Sequence, residues 1–385
     1  MNEGISYLVI VCLALGVTLL LIPLMDRLGR RWNIVSRYGG RRLSESDARR
    51  VSKLGGAALF SGFMVAVIAA QLMPVPRADP YEWIRLIGLI GGGVVIFGVG
   101  LLDDLFDLSP FQQFIGQFAA AAIAITFQIF IEFFNNPLTG QQTDPWAYWV
   151  TVTISFFWLV GMMNTVNWLD GADGLAGGVA VIAGLILFLN SAFRVEPAQA
   201  SVSLLHLALV GSALGFLIHN FHPARIVMGG GAPFLGYVLG CLAIIGGAKM
   251  ATILLVMGLP LLDSVWQVVN RVLRGKNPFT GDRGHLHFRL QDMGVSTRTM
   301  VLGYYVFCAF FGGLTLITES QAFKFIALGV MVLITLAGFA LIGRRYVARS
   351  AAGSSPGAGE AAGALASASS SSSAASSSNP DSSTF

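Results

Sequence analysis

About eleven apolar runs, each roughly twenty residues long, divide this chain. A helix needs about 20 apolar residues to cross a bilayer, and only helices and closed barrels satisfy their own backbone hydrogen bonds there. The runs are unbroken rather than alternating, which excludes a barrel. They fall at roughly 4–24, 54–73, 84–102, 111–131, 146–163, 175–193, 202–219, 232–247, 249–269, 300–318 and 322–342. Composition agrees: 55% of the residues are hydrophobic and 11% charged, against about 25% charged in a soluble domain. The expected fold is an all-α, polytopic membrane bundle. The first run is too long for a cleaved signal and lacks a small-residue cleavage site, so it reads as a retained span.

Basic residues set the expected orientation. They cluster in 26–53, in 270–299 and after the last run, at Arg344, Arg345 and Arg349. With an odd number of spans these segments share one face, which is then cytoplasmic. The N-terminus is expected outside and the C-terminus inside. Cys12, Cys241 and Cys308 lie within apolar runs and read as small buried hydrophobes. Residues 1–345 form the expected membrane domain. From 346 to 385 the chain is almost entirely Ser, Ala and Gly, a composition expected to be a disordered cytoplasmic tail.

Carboxylates are costly in hydrocarbon, so clusters of them at span ends mark a site. Asp103 and Asp104 end the third run, with Asp107 one turn on. One such carboxylate suits Mg²⁺ and another a general base. Asn164-x-x-Asn167-x-x-Asp170-Gly171-x-Asp173-Gly174 repeats polar groups every three residues and then turns glycine-rich. Those glycines permit close backbone approach to a ligand. Asp263 follows Pro260 in the ninth run; it reads as a site carboxylate or as the partner of an arginine such as Arg271. Arg283, His285, His287 and Arg289 lie in a basic loop suited to phosphate. His219–Arg225 is a further polar cluster, whereas His206 sits mid-span and reads as a satisfied buried histidine. All the clusters fall on the expected cytoplasmic side. A secondary transporter would instead place its carboxylates near the midplane.

These motifs resemble the polyprenyl-phosphate N-acetylhexosamine-1-phosphate transferases, glycosyltransferase family 4. The likeness is to the WecA/TagO-type members and to the related MraY, over roughly residues 1–345. It is carried by Leu102-Asp103-Asp104, by Asn164–Ala176 and by Lys276–His287. The resemblance implies transfer of a sugar-1-phosphate, by default N-acetylglucosamine-1-phosphate, from a UDP-sugar to undecaprenyl phosphate. UMP is released at the start of a cell-envelope glycan pathway. It implies Asp103, Asp104 and Asp170 as catalytic residues. Lys53, Asn167, Asp173, Asn220, Arg283, His285, His287 and Arg289 are the implied substrate-binding set. It further implies Mg²⁺, or alternatively Mn²⁺, on Asp104, Asp170 and Asp263. The partners expected are the polyprenyl phosphate lipid, the UDP-sugar, the membrane and a second copy in a homodimer, with no nucleic acid. The inner (plasma) membrane is the expected location, with the site on its cytoplasmic face. One departure stands out. Where the family has Phe-Met-Gly-Asp-x-Gly, this chain has Val227-Met228-Gly229-Gly230-Gly231, so Gly230 takes the place of a metal-ligand aspartate. The alternative is therefore a degenerate, non-catalytic member with a binding or regulatory role.

Overall fold

The computed structural model describes residues 3–36, 50–137, 139, 141–195, 198–246, 250–275, 284–318 and 320–353. Arg283, the basic residues within 37–49 and residues 354–385 of the expected tail lie outside the described residues. The chain divides into two units, Met1–Thr335 and Leu336–Phe385.

In the first unit every expected run coincides with helix. The helices are α1 (Glu3–Arg31), α2 (Gly55–Ala70), α3 (Glu82–Phe106), α4 (Pro110–Thr126), α5 (Tyr148–Leu169), α6 (Leu175–Phe193), α7 (Ala200–Asn220), α8 (Gly231–Ile245), α9 (Met250–Val256), α10 (Gly258–Leu273), α11 (Leu286–Asp292), α12 (Thr297–Ile317) and the start of α13 (Gln321–Gly353). The described part of the second unit is the rest of α13. Among the described residues seven helices are long and apolar enough to cross a membrane, or eight if α9 and α10 form one broken span. The expected eleven therefore exceeds the helices that meet this length: α2 and α8 are apolar but shorter.

The ninth run was expected as one span. It is broken, with α9 and α10 bent by 78°. Pro260 lacks a backbone N–H and is tolerated only in the first turn of a helix, so a new helix starts just before it. Beyond the break α10 is polar on its buried side, where Asp263, Gln267 and Arg271 recur every four residues. Val265, Val269 and Val272 are exposed. That pattern is the reverse of a soluble helix and suits a lipid exterior.

Small residues let the helices approach closely, which is how packing is gained without a hydrophobic drive. α1 packs against α7 and α2. A Cβ on Gly211 or Gly215 of α7 would lie 2.4 Å from the Val11 carbonyl oxygen or 3.0 Å from that of Leu15. His206 is buried, with Nε2 3.4 Å from the Leu242 carbonyl. Cys241 and Cys308 are buried, but Cys12 is exposed on α1, against expectation.

The turn after α3 is tightly built. Asp107 is left-handed at φ 50°. Ser109 and Gln112 then form a capping box, with Pro110 opening α4. The turn aligns the end of α3 with the start of α4.

Candidate active site

A cavity of about 370 Å³ opens where α3, α4 and α5 meet the segment before α8. Its polar lining is Ser36, Lys53, Asp103, Asp104, Gln113, Gln117 and Asn167, with the backbone of Gly229 and Gly230; Ile96, Val99, Val227 and Pro233 supply its apolar wall.

Lys53 is placed by backbone pairing rather than by a helix. Isolated bridges join Val35 to Ser52 and Ser52 to Ile226. Lys53 N–H donates to the Ile34 carbonyl (3.1 Å), and Val227 N–H to that of Ser52 (2.9 Å). Lys53 Nζ then lies 3.7 Å from Asp104 Oδ1. Gly230 N–H donates to Asp104 Oδ2 (2.6 Å). Gly229 has φ +57°, and a Cβ there would lie 2.4 Å from Asp104 Oδ2. Gly230 itself has no room for a side chain: its Cβ would fall 1.9 Å from the Gly100 carbonyl oxygen. The glycines at 229 and 230 thus serve a backbone-to-backbone seat on α3.

Asp103 accepts from Gln113 Nε2 (2.9 Å). One turn deeper, Gln117 and Asn164 pair amide to amide, with Asn164 Nδ2 donating to Gln117 Oε1 (2.7 Å). Gln113 and Gln117 were not among the expected site residues. Their signal was a pair of glutamines four apart in a mostly apolar run.

The other expected residues lie in a second, buried group. Asp170 caps α5 and is 3% exposed. Asp173 Oδ2 accepts from His222 Nδ1 (3.0 Å) and Ala224 N–H (3.1 Å). Asn220 was expected to bind substrate. It is instead 1% exposed, its Oδ1 accepting from Gly174 N–H (2.9 Å) and its Nδ2 donating to the Ile226 carbonyl (2.9 Å). Both ends of its amide are committed to holding two turns together.

Asp263 was expected as a metal ligand. Its Oδ2 lies 3.0 Å from His285 Nδ1 and its Oδ1 accepts from Leu286 N–H (3.0 Å). Gln267, one turn along α10, donates to the Gly284 carbonyl. The polar face of α10 therefore clamps the start of α11. His285 and His287 are nearly parallel, with ring centroids 5.8 Å apart, and Trp168 lies 5.4 Å from His285. His287 is buried under Gly171, whose added Cβ would meet its Nε2 at 2.5 Å. Arg289 is half-buried on α11. The histidine loop and the Asp170 turn are thus packed together.

Comparison with known proteins decides the family. A family model described as glycosyl transferase family 4 matches residues 86–247. A probable undecaprenyl-phosphate N-acetylglucosaminyl 1-phosphate transferase of Bacillus subtilis is 28% identical, covering 80% of this chain and 83% of that protein. A decaprenyl-phosphate N-acetylglucosaminephosphotransferase of Mycobacterium leprae is 30% identical, covering 66% and 70%. A phospho-N-acetylmuramoyl-pentapeptide-transferase of Oceanobacillus iheyensis is 29% identical, covering 74% and 89%. The chain belongs to glycosyl transferase family 4.

The family match runs from α3 into α8 and contains Asp103, Asp104, Asn167, Asp170, Asp173 and Asn220. Lys53, Asp263, His285 and His287 fall outside it. The expected metal triad of Asp104, Asp170 and Asp263 is not assembled. Among the described residues no group of three or more His, Cys, Asp and Glu side chains could hold a metal ion. Of the three only Asp104 lines the cavity, and Asp263 accepts from Leu286 N–H beside His285. What the cavity does offer is an adjacent pair, Asp103 and Asp104. That fits the usual habit of Mg²⁺, which takes one or two carboxylates and completes its shell with water and substrate phosphates.

Proposed function

We propose that this family 4 enzyme transfers N-acetylglucosamine-1-phosphate from its UDP-sugar to a polyprenyl phosphate, undecaprenyl phosphate by default. An oxygen of the lipid phosphate forms a bond to the phosphorus that carries the sugar. The bond from that phosphorus to the bridging oxygen breaks, and UMP leaves with the electron pair. The product is a lipid diphosphate bearing the sugar, the first intermediate of an envelope glycan. The named functions of the relatives support catalysis over a degenerate role.

The observation that carries the reading is the cavity itself. It combines two carboxylates, one ammonium and an amide set at the end of α3, the composition needed to hold two phosphates and one attacking oxygen. In this reading Asp103 keeps the lipid phosphate deprotonated. Lys53 offsets phosphate charge while Asp104, itself held by the Gly230 amide, keeps Lys53 in place. Asn167 donates to the donor's diphosphate. Positioning and charge compensation do most of the work in phosphoryl transfer. A Mg²⁺ or Mn²⁺ ion on Asp103 and Asp104 would supply further charge neutralisation. Asp170, Asp173, His285, His287 and Arg289 shape the floor of the donor site from behind, and Arg283 is assigned to phosphate.

The site is assigned to the cytoplasmic face of the inner membrane, where nucleotide sugars are found. Supporting this, Arg30 and Arg31 end α1 and Arg271 ends α10. On the opposite side Arg77 and Arg85 are paired with Glu82 and Asp79. A homodimer is the proposed assembly. The test is UMP release by purified protein given UDP-N-acetylglucosamine, undecaprenyl phosphate and Mg²⁺. Release that needs both lipid and cation supports the reading; donor hydrolysis without lipid sinks it.

A further inference from the structure

We propose that Gln113 is a positioning residue for the transfer, holding the Asp103 carboxylate in its working direction. This deepens the reading above and rests on Asp103 acting in the reaction. Gln113 Nε2 donates one hydrogen to Asp103 Oδ1 (2.9 Å) and lies 3.1 Å from the Leu108 carbonyl, which takes the other. Both hydrogens of the amide are therefore used, and its orientation is set. Flipping it would turn a carbonyl oxygen on a carboxylate. Gln113 thereby ties the Asp103 carboxylate to the Leu108 carbonyl across the turn between α3 and α4.

The scaffold under this tie is stiff. Asp107 closes α3 in the left-handed region, and the Ser109–Gln112 box with Pro110 opens α4. Gln113 is the first residue of α4 that reaches back over that turn into the cavity. A catalytic carboxylate at a helix end has rotamer freedom that costs rate unless a supporting group removes it. Asp104 is fixed separately, by the Gly230 amide and Lys53. Without Gln113 the Asp103 side chain would lose this hydrogen bond. Gln117, paired with Asn164, continues the same amide row toward α5.

The test compares four variants in the purified, detergent-solubilised full chain. Gln113→Met keeps length and loses the donor. Gln113→Glu keeps shape and replaces the donor with an acceptor. Gln113→Lys keeps length and a donor. Asp103→Asn reports on the underlying reading. UMP release is measured per folded molecule, with kcat and KM for the UDP-sugar separated. Gln113→Met and Gln113→Glu are expected to lose kcat by roughly 10–100-fold, the range for removing a supporting hydrogen bond, with little change in KM. Gln113→Lys, which restores a donor but sets a cation against Asp103, is expected to keep more kcat than Gln113→Met. The proposal is overturned if Gln113→Met keeps the native kcat, or if Gln113→Lys falls as far as Gln113→Met, since a packing role alone predicts the first and a unique need for glutamine the second. If Asp103→Asn is as active as the native chain, the reading of Asp103 fails and takes this proposal with it. A silent Asp103→Asn beside an active Gln113→Met isolates the failure to Gln113.

Discussion

At the residue scale, the most unusual feature is the meeting of Gly100 and Gly230. Each would drive a Cβ into the other's backbone, at 2.0 and 1.9 Å. Backbone cannot rotate away as a side chain does, so α3 and the turn before α8 must part. Gly230→Ala is expected to cost at least about 1–3 kcal/mol, the usual range for overpacking. Gly100→Ala should behave alike, and the double variant should cost less than the sum, because the first methyl already opens the contact. Thermal melts of the three variants measure this. Restoring an acidic side chain by Gly230→Asp should therefore lower activity rather than improve metal binding. Asp103→Asn is expected to lower kcat by two orders of magnitude or more, in the ~10²–10⁴ range for a general base, with UMP release as the assay.

At the element scale, α10 is the organising piece. Its Asp263 and Gln267 hold the 284–286 backbone, and the two imidazoles stack beyond it. Asp263→Asn replaces a charged acceptor by an amide and leaves His285 Nδ1 facing either a weaker acceptor or a donor. Charge-assisted hydrogen bonds are worth about 1.5–3 kcal/mol. The expected result is a looser start of α11, seen as faster amide exchange at Leu286, with α1 and α7 unchanged. Unchanged exchange at Leu286 would remove the clamp from the account. The Asn220 amide acts similarly between Gly174 and Ile226. Asn220→Leu, which buries two unsatisfied backbone groups, is expected to cost roughly 2–6 kcal/mol, about 1–3 for each group, with thermal stability as the measure.

At the scale of the molecule, the proposed orientation has a direct test. Single cysteines at position 137, between α4 and α5, and at position 275, after α10, lie on opposite sides in the proposed topology. A membrane-impermeant thiol reagent on intact cells is expected to label the first and spare the second. Labelling of position 275 from outside would reverse the orientation and move the site away from nucleotide sugars.

Much of this protein was legible in one dimension because hydrocarbon is an unforgiving solvent. The length of each apolar run reports a helix directly, so the runs coincide with helices α1 to α10, α12 and α13. The acidic motifs were legible for the same reason: carboxylates beside long apolar runs have few bland explanations. The break between α9 and α10 was also there to read, in Pro260, which a hydropathy window does not see. Two things were decided only by the tertiary structure. The division of the polar residues into a cavity set and a buried holding set depends on which hydrogen-bond donors other elements bring. Asp263 and Asn220 read as ligands as letters, and the fold sets them against His285, Gly174 and Ile226. The use of Gly230 depends on Gly100, 130 residues away in sequence. Solvent acts on each residue by its own chemistry, which sequence records; hydrogen bonds and steric contact act between residues, and only the folded chain says which ones meet.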